Sequence, residues 1–263
     1  MNFKERKVWI TGASSGIGEA LAYAFANEGA YLILSARNVL ELERVKKACV
    51  GAPHVEIIKL DIGNHADIFK IAETLISRIG NIDVLINNAG ISQRSLAKDT
   101  DFQVDTHIIN VDLLGTIAIT KAVLPTMLAQ KSGHIVTISS LMGKFGAPMR
   151  SSYAAAKHGL HGFFDTLRAE VFKENIKILM VCPGFVRTNI SINAVVADGS
   201  KQGTMDDATN KGLDPSVLAA KIIKAIKQEK EEIYIGGREV VGVYMKRFFP
   251  KLLSKMVRNA KTT

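Results

Sequence analysis

The sequence predicts an α/β protein whose central sheet is parallel and covered by helices on both faces. Three observations carry the prediction. Seven short β-rich runs recur along the 263 residues. Segments between successive runs are long enough for a crossover helix. A Gly-rich turn, TGASSGIG at 11–18, joins the first run to the first helical pattern.

The runs, in order, are VWI at 8–10, YLILS at 31–35, VEIIKL at 55–60, DVLIN at 83–87, HIVTIS at 134–139, IKILMVC at 176–182 and EIYIG at 232–236. Several are continuously apolar instead of alternating, the pattern of strands buried on both faces. The first helical pattern runs to about Gly29, and Asp214-Pro215 reads as a cap followed by a first helical residue. Between them, 184–213 is polar and Gly-punctuated without clear periodicity, a loop of the length expected for a functional lid. No repeat, low-complexity tract or linker divides the chain. The expected organisation is one domain over 1–240, with about seven strands, followed by a basic tail over 241–263.

Composition, 47% hydrophobic and 22% charged, is that of a globular protein. The first residues, MNFKERKVWI, lack the pattern of a secretory or transit segment, and no unbroken stretch of 18 apolar residues suggests a spanning helix. The expected location is cytoplasmic. Cys49 and Cys182 have no metal-type or C-x-x-C spacing, and Cys182 reads as a small buried residue. The net charge of +9 is concentrated late: residues 238–263 hold seven Lys/Arg against one Glu, a net +6. That leaves a mildly basic body and argues against a nucleic-acid groove.

Glycines 12, 16 and 18 allow a tight turn and close approach of backbone to a phosphate at a helix N-terminus, the requirement of a dinucleotide site. Downstream, SSYAAAKHGL at 151–160 sets Tyr153 and Lys157 one helical turn apart on a shared face. Alone, that pair is weak. An ammonium one turn from a phenol, however, favours its phenolate and makes it a usable acid/base near neutral pH.

With its TGxxxGxG spacing, the chain resembles the classical short-chain dehydrogenase/reductase family, and further marks follow in order over roughly residues 4–236. They are NNAG at 87–90, Asn110, Ser140 thirteen residues before Tyr153, and PGFVRT at 183–188. The resemblance implies a Rossmann-type fold and a catalytic set of Asn110, Ser140, Tyr153 and Lys157. Ser140 would hydrogen-bond the substrate oxygen and Tyr153 exchange its proton. Lys157 would also hold the nicotinamide ribose, and Asn110 a water in the proton relay. The resemblance further implies cofactor contacts from Gly12, Ser14, Ser15, Gly16, Ile17 and Gly18, from Asp61 and Ile62, from Asn88, Ala89 and Gly90, and from Pro183, Gly184, Val186 and Thr188.

At the end of the second strand LILSARN has Ala36 where an acidic residue would repel a 2′-phosphate, and Arg37 offers a guanidinium fork. This favours NADP(H) over NAD(H), although Ser14-Ser15 lacks the second basic residue of some NADP users. His158 and His161 read as structural, and no His/Asp/Glu grouping has metal-ligand spacing. The expected activity is reduction of a ketone or oxidation of a secondary alcohol, with a lipophilic substrate, by a homodimer or homotetramer. The alternatives are a 3-oxoacyl carrier-protein reductase and, from another class, a non-catalytic dinucleotide sensor. Segments 91–98, 141–150 and 184–213 would set the substrate. In the tail, 244–261 reads as a basic amphipathic helix from Pro250, either packed near the active-site mouth or resting on an anionic membrane.

Overall fold

Each of the seven runs forms a strand. In the computed structural model, which describes residues 1–258, these are β1 (Lys7–Thr11), β2 (Tyr31–Ala36), β3 (Val55–Lys59), β4 (Val84–Asn87), β5 (Gly133–Ile138), β6 (Ile176–Pro183) and β7 (Glu232–Ile235). They make one sheet in the order β3-β2-β1-β4-β5-β6-β7, every pairing parallel. The order reverses between β1 and β4, so a crevice opens there at the carboxyl ends of the strands.

Alternate strand residues feed two cores. Val8, Ile10, Leu32, Leu34, Val84 and Ile86 pack with helices α1 (Gly16–Asn27), α2 (Val39–Ala48) and α8 (Pro215–Lys227). Trp9, Ile33, Leu85, Ile135 and Ile178 face the other way, onto α3 (His65–Ile79), α5 (Thr116–Gln130) and α6 (Ser151–Glu170). Trp9 is fully buried, and its indole N–H is satisfied by Ser35 Oγ at 3.0 Å. Asp214 caps α8 by accepting from the Ser216 N–H, with Pro215 in its first turn.

Helix α4 (Phe102–Ile109) does not pass smoothly into α5: Asn110–Gly115 forms an intervening π-helical turn. The continuous run Phe102–Gln130 is long and apolar enough on average to cross a membrane, which a search for unbroken apolar stretches overlooks. Half of its most apolar 18-residue stretch is buried inside this fold, and Asp112, Thr116 and Thr120 are buried polar residues within the run. Those features are those of a core helix.

The 184–213 segment contains a short helix, α7 (Asp207–Asn210), and is pinned by single bridges Val186 to Leu213 and Gln93 to Val195. Its Ser191 and Ala194 are fully buried. Beyond the sheet lie α9 (Val241–Phe248) and α10 (Pro250–Arg258). Leu253 and Val257 pack their inner side against Leu141, Phe145 and Cys182. The last part of the expected tail, residues 259–263, lies outside the described residues.

Candidate active site

A cavity of about 810 Å³ occupies the crevice at the strand ends. Its wall includes Gly12, Ser14, Ser15, Gly16 and Ile17 from the first turn, Arg37, Asp61, Ile62, and Asn88, Ala89 and Gly90 after β4. Ser140, Tyr153, Lys157, Pro183, Gly184, Val186 and Thr188 complete the sequence-derived set on that wall. Gly18 and Asn110 do not line it.

The first turn owes its shape to its glycines. Gly12 has φ +66°, a conformation costly for residues with a Cβ. Gly18 stands so close to the Gly12 carbonyl and the Asn88 amide that a Cβ would overlap both. Asn88 clamps the turn from below, its Nδ2 donating to the carbonyls of Thr11 at 3.0 Å and Gly12 at 3.1 Å. Ser15, at the N-cap of α1, makes no side-chain capping bond, so the first N–H groups of α1 face the cavity in a cradle suited to a phosphate. Among the described residues, Arg37 is exposed and makes no ion pair. Nearby Arg44 reaches the Ser14 carbonyl, but its guanidinium is held by Glu19 and Glu41, each at 2.7 Å.

Tyr153 and Lys157 share one face of α6, the Lys157 Nζ lying 5.5 Å from the centroid of the Tyr153 ring. Lys157 is buried, donates to the Ile138 carbonyl at 3.4 Å, and faces the Asp112 Oδ2 at 3.3 Å. Burial alone would pull the Lys157 ammonium down; the charges of Asp112 and Tyr153 outweigh it and hold it above the usual lysine value. Asp112 is itself fully buried and its Oδ1 accepts the Ile91 N–H at 2.8 Å. Burial pushes its carboxyl upward, against the pull of Lys157 and that N–H. Sequence reading missed Asp112; a lone Asp in an apolar helical run is the signal that could have flagged it.

Asn110 opens the π-turn. Its Nδ2 donates to the Gly63 carbonyl at 3.2 Å, and its own carbonyl lies 3.2 Å from His65 Nε2. Ser140 caps the short turn Leu141–Gly143, its Oγ accepting the Met142 N–H at 3.1 Å.

A second unforeseen residue is Gln93. Arg150, the N-cap residue of α6, makes no side-chain cap, and Gln93 substitutes from a distant loop. Its Oε1 accepts the N–H groups of Ser152 at 2.9 Å and Tyr153 at 3.3 Å. The Gln93 carbonyl accepts from Arg150 and Arg94, each at 2.7 Å. Arg94 in turn donates through Nε to Asp206 Oδ2 at 2.8 Å, an ion pair buried at both ends. Burial pushes the Asp206 carboxyl up, but hydrogen bonds from Arg94 and Gln202 outweigh it and hold the group below the usual carboxylate range.

His158 bonds back to the Ala154 carbonyl at 2.8 Å. His161 sits between Ser139 Oγ at 3.2 Å and Cys182 Sγ at 3.6 Å. Although their spacing in the sequence gives no hint, the fold brings ligand atoms of His161, Cys182 and Glu232 within 4.8 Å of one another. The Lys144 ammonium, 2.6 Å from Glu232, supplies the cation there. Burial and Lys144 pull His161 down to about 4, keeping it neutral near pH 7.

The short chain dehydrogenase family model matches residues 6–197. "Dehydrogenase/reductase SDR family protein 7-like" of Anopheles gambiae is 44% identical over 234 residues, covering 87% of this chain and 74% of that one. "Dehydrogenase/reductase SDR family member 7B" of Bos taurus is 40% identical over 258 residues, covering 95% and 79%. Among solved structures, a short-chain dehydrogenase from Streptomyces avermitilis superposes with TM-score 0.84 at 30% identity, covering 99% of this chain and all of that one. An alcohol dehydrogenase from Thermococcus sibiricus, complexed with 5-hydroxy-NADP, gives 0.77 at 26%, covering 89% and 97%. The glycine turn, the Tyr153–Lys157 face and the sheet order thus have one common explanation: the chain belongs to the short-chain dehydrogenase/reductase family.

Proposed function

We propose that this oxidoreductase uses NADP(H) to interconvert a carbonyl compound and a secondary alcohol, with Tyr153 as the proton donor and acceptor. The observation that carries the reading is the buried Lys157 ammonium, 5.5 Å from the Tyr153 ring centroid and itself held by Asp112, on the wall of the cavity that the glycine turn also lines.

The uncapped start of α1, with no Cβ at Gly12 or Gly18, suits a dinucleotide pyrophosphate. Asp61 suits the adenosine end, and the 183–188 segment the nicotinamide. When bound, the nicotinamide supplies or accepts the hydride. The protein's own share is proton handling and orientation. Ser140 Oγ offers a hydrogen bond to the substrate oxygen, and the Tyr153 hydroxyl gives that oxygen a proton during reduction or takes it during oxidation. Lys157 stabilises negative charge on the phenol oxygen. Asn110, outside the cavity wall, suits the outer end of a relay that restores the proton to Tyr153.

Preference for NADP(H) rests on this chain's Ala36 and Arg37, since solved relatives of the fold carry either nucleotide. Family likeness favours a homo-oligomer, a dimer or tetramer. The test is NADPH against NADH titration, followed by NADPH consumption over a panel of ketones, aldehydes and 3-oxoacyl thioesters. Tyr153→Phe is expected to abolish turnover and leave NADPH affinity nearly unchanged. Substantial residual turnover would remove Tyr153 from the acid/base role. Tight NADPH binding by the unaltered protein, with no turnover of any compound, would favour a dinucleotide sensor.

A further inference from the structure

We infer that the outer face of α9 and α10 is a docking surface for an anionic lipid bilayer. Eighteen large apolar side chains are exposed among the described residues, and six of them fall between positions 241 and 256. Val241, Tyr244 and Phe248 recur at three- and four-residue intervals along α9, Phe249 lies in the link, and Leu252 and Met256 are one turn apart on α10. Each of the six is more than half exposed. Single exposed apolar residues are ordinary, but six within sixteen residues of two successive helices form a group that calls for an occupant.

The charges select the occupant. Lys246, Arg247, Lys251, Lys255 and Arg258 are interleaved with the apolar residues, and 241–258 contains no Asp or Glu. A second copy docking by this same face would bring two such cation sets together with no carboxylate of the segment between them. A bilayer bearing anionic headgroups satisfies both features at once: acyl chains take the Phe, Leu and Met side chains while headgroups take the Lys and Arg.

The inner side of the two helices is already occupied. Leu253 is buried and Val257 half-buried against Leu141 and Phe145, so the elements have a fixed seat, while the outer residues stay more than half exposed, Tyr244 also meeting the Tyr234 ring edge-on. Phe145, Glu239 and Val257 also line the active-site cavity. Docking therefore sets the cavity rim at the lipid interface, where an apolar substrate partitions. That consequence rests on the oxidoreductase reading; attachment itself does not.

Co-sedimentation of the full chain with phosphatidylcholine vesicles, with and without phosphatidylserine, tests attachment without any turnover measurement. Expected is binding to the phosphatidylserine-containing vesicles that falls steeply with salt. Lys251→Gln with Lys255→Gln should weaken it about 25-fold, from about fivefold per charge. Phe248→Ser with Leu252→Ser should abolish it while the melting temperature stays within a few degrees of the parent. Absence of vesicle binding, or equal binding by parent and variants, would overturn the inference. So would loss of an oligomer, seen by size-exclusion chromatography, in the Phe248/Leu252 variant when the parent does not bind vesicles, because the face would then be a self-interface.

Discussion

Asp112→Asn isolates the contribution of one buried charge to the site. The substitution keeps side-chain shape, and the amide oxygen can still accept the Ile91 N–H, but the carboxylate 3.3 Å from Lys157 is gone. Removing one member of a buried ion pair costs about 3–5 kcal/mol, because the remaining charge stays desolvated. For a chain of this size, with about 2–4 °C of melting temperature per kcal/mol, the melting point should drop by about 6–20 °C. A second readout is the pH dependence of turnover. Lys157 is held above the usual lysine value by Asp112 and Tyr153 against burial, so its charge in the parent persists as pH rises past that value. With Asp112 neutralised, burial prevails, the ammonium loses its proton at lower pH, and the alkaline fall in kcat/KM moves downward. Differential scanning fluorimetry and a pH–rate series measure the two effects. An unchanged melting temperature together with an unmoved alkaline limb would refute the reasoning, for it would mean that Asp112 is protonated in the parent and contributes no charge.

Arg37→Asp should move the preference from NADPH toward NADH, measured as the ratio of kcat/KM values; an unchanged ratio would locate the 2′-phosphate contact elsewhere. Gln93→Leu leaves the Ser152 and Tyr153 N–H groups without their acceptor at the start of α6, at a cost of about 1–3 kcal/mol. Its kcat should fall along with its stability, and a variant with parental kcat and melting temperature would show that the helix start is fixed by other contacts. Acid stability should reflect His161, whose folded value of about 4 lies below the unfolded value near ~6.5. The unfolded chain then takes up a proton first as pH falls, so stability is fully present above pH ~6.5 and declines toward pH ~4, by about 3 kcal/mol. Urea midpoints across that interval should fall less steeply for His161→Phe than for the parent, the remaining slope including His134, which burial also pulls down to about 4.

Strand positions were legible because a strand buried on both faces must be apolar along its length. YLILS and IKILMVC leave no other reading between polar helical segments. The glycine turn was legible because backbone geometry at Gly12 and Gly18 admits no side chain. Asp112 and Gln93 were not, since each acts on α6 from a point distant in sequence: Asp112 meets Lys157 across 45 residues and Gln93 meets Ser152 across 59. Local pattern can mark a lone polar residue in an apolar run, as at Asp112, but carries no record of the partner it meets. Asn110 was legible as a site residue through the family resemblance, but the π-wound turn it opens was not, a departure that periodicity cannot register. The cluster of His161, Cys182 and Glu232 escaped for a similar reason, being assembled from a helix and two neighbouring strands.

Gln93 also ties together two parts of the molecule that could have moved independently. Its side chain holds the first turn of α6, its carbonyl is shared by Arg94 and Arg150, and Arg94 is locked to Asp206 in the 184–213 segment. Swinging that segment away means exposing or breaking a buried ion pair anchored one residue from the cap. The position of the 184–213 segment and the start of the helix that carries Tyr153 are therefore mechanically linked: displacing one strains the contacts that fix the other.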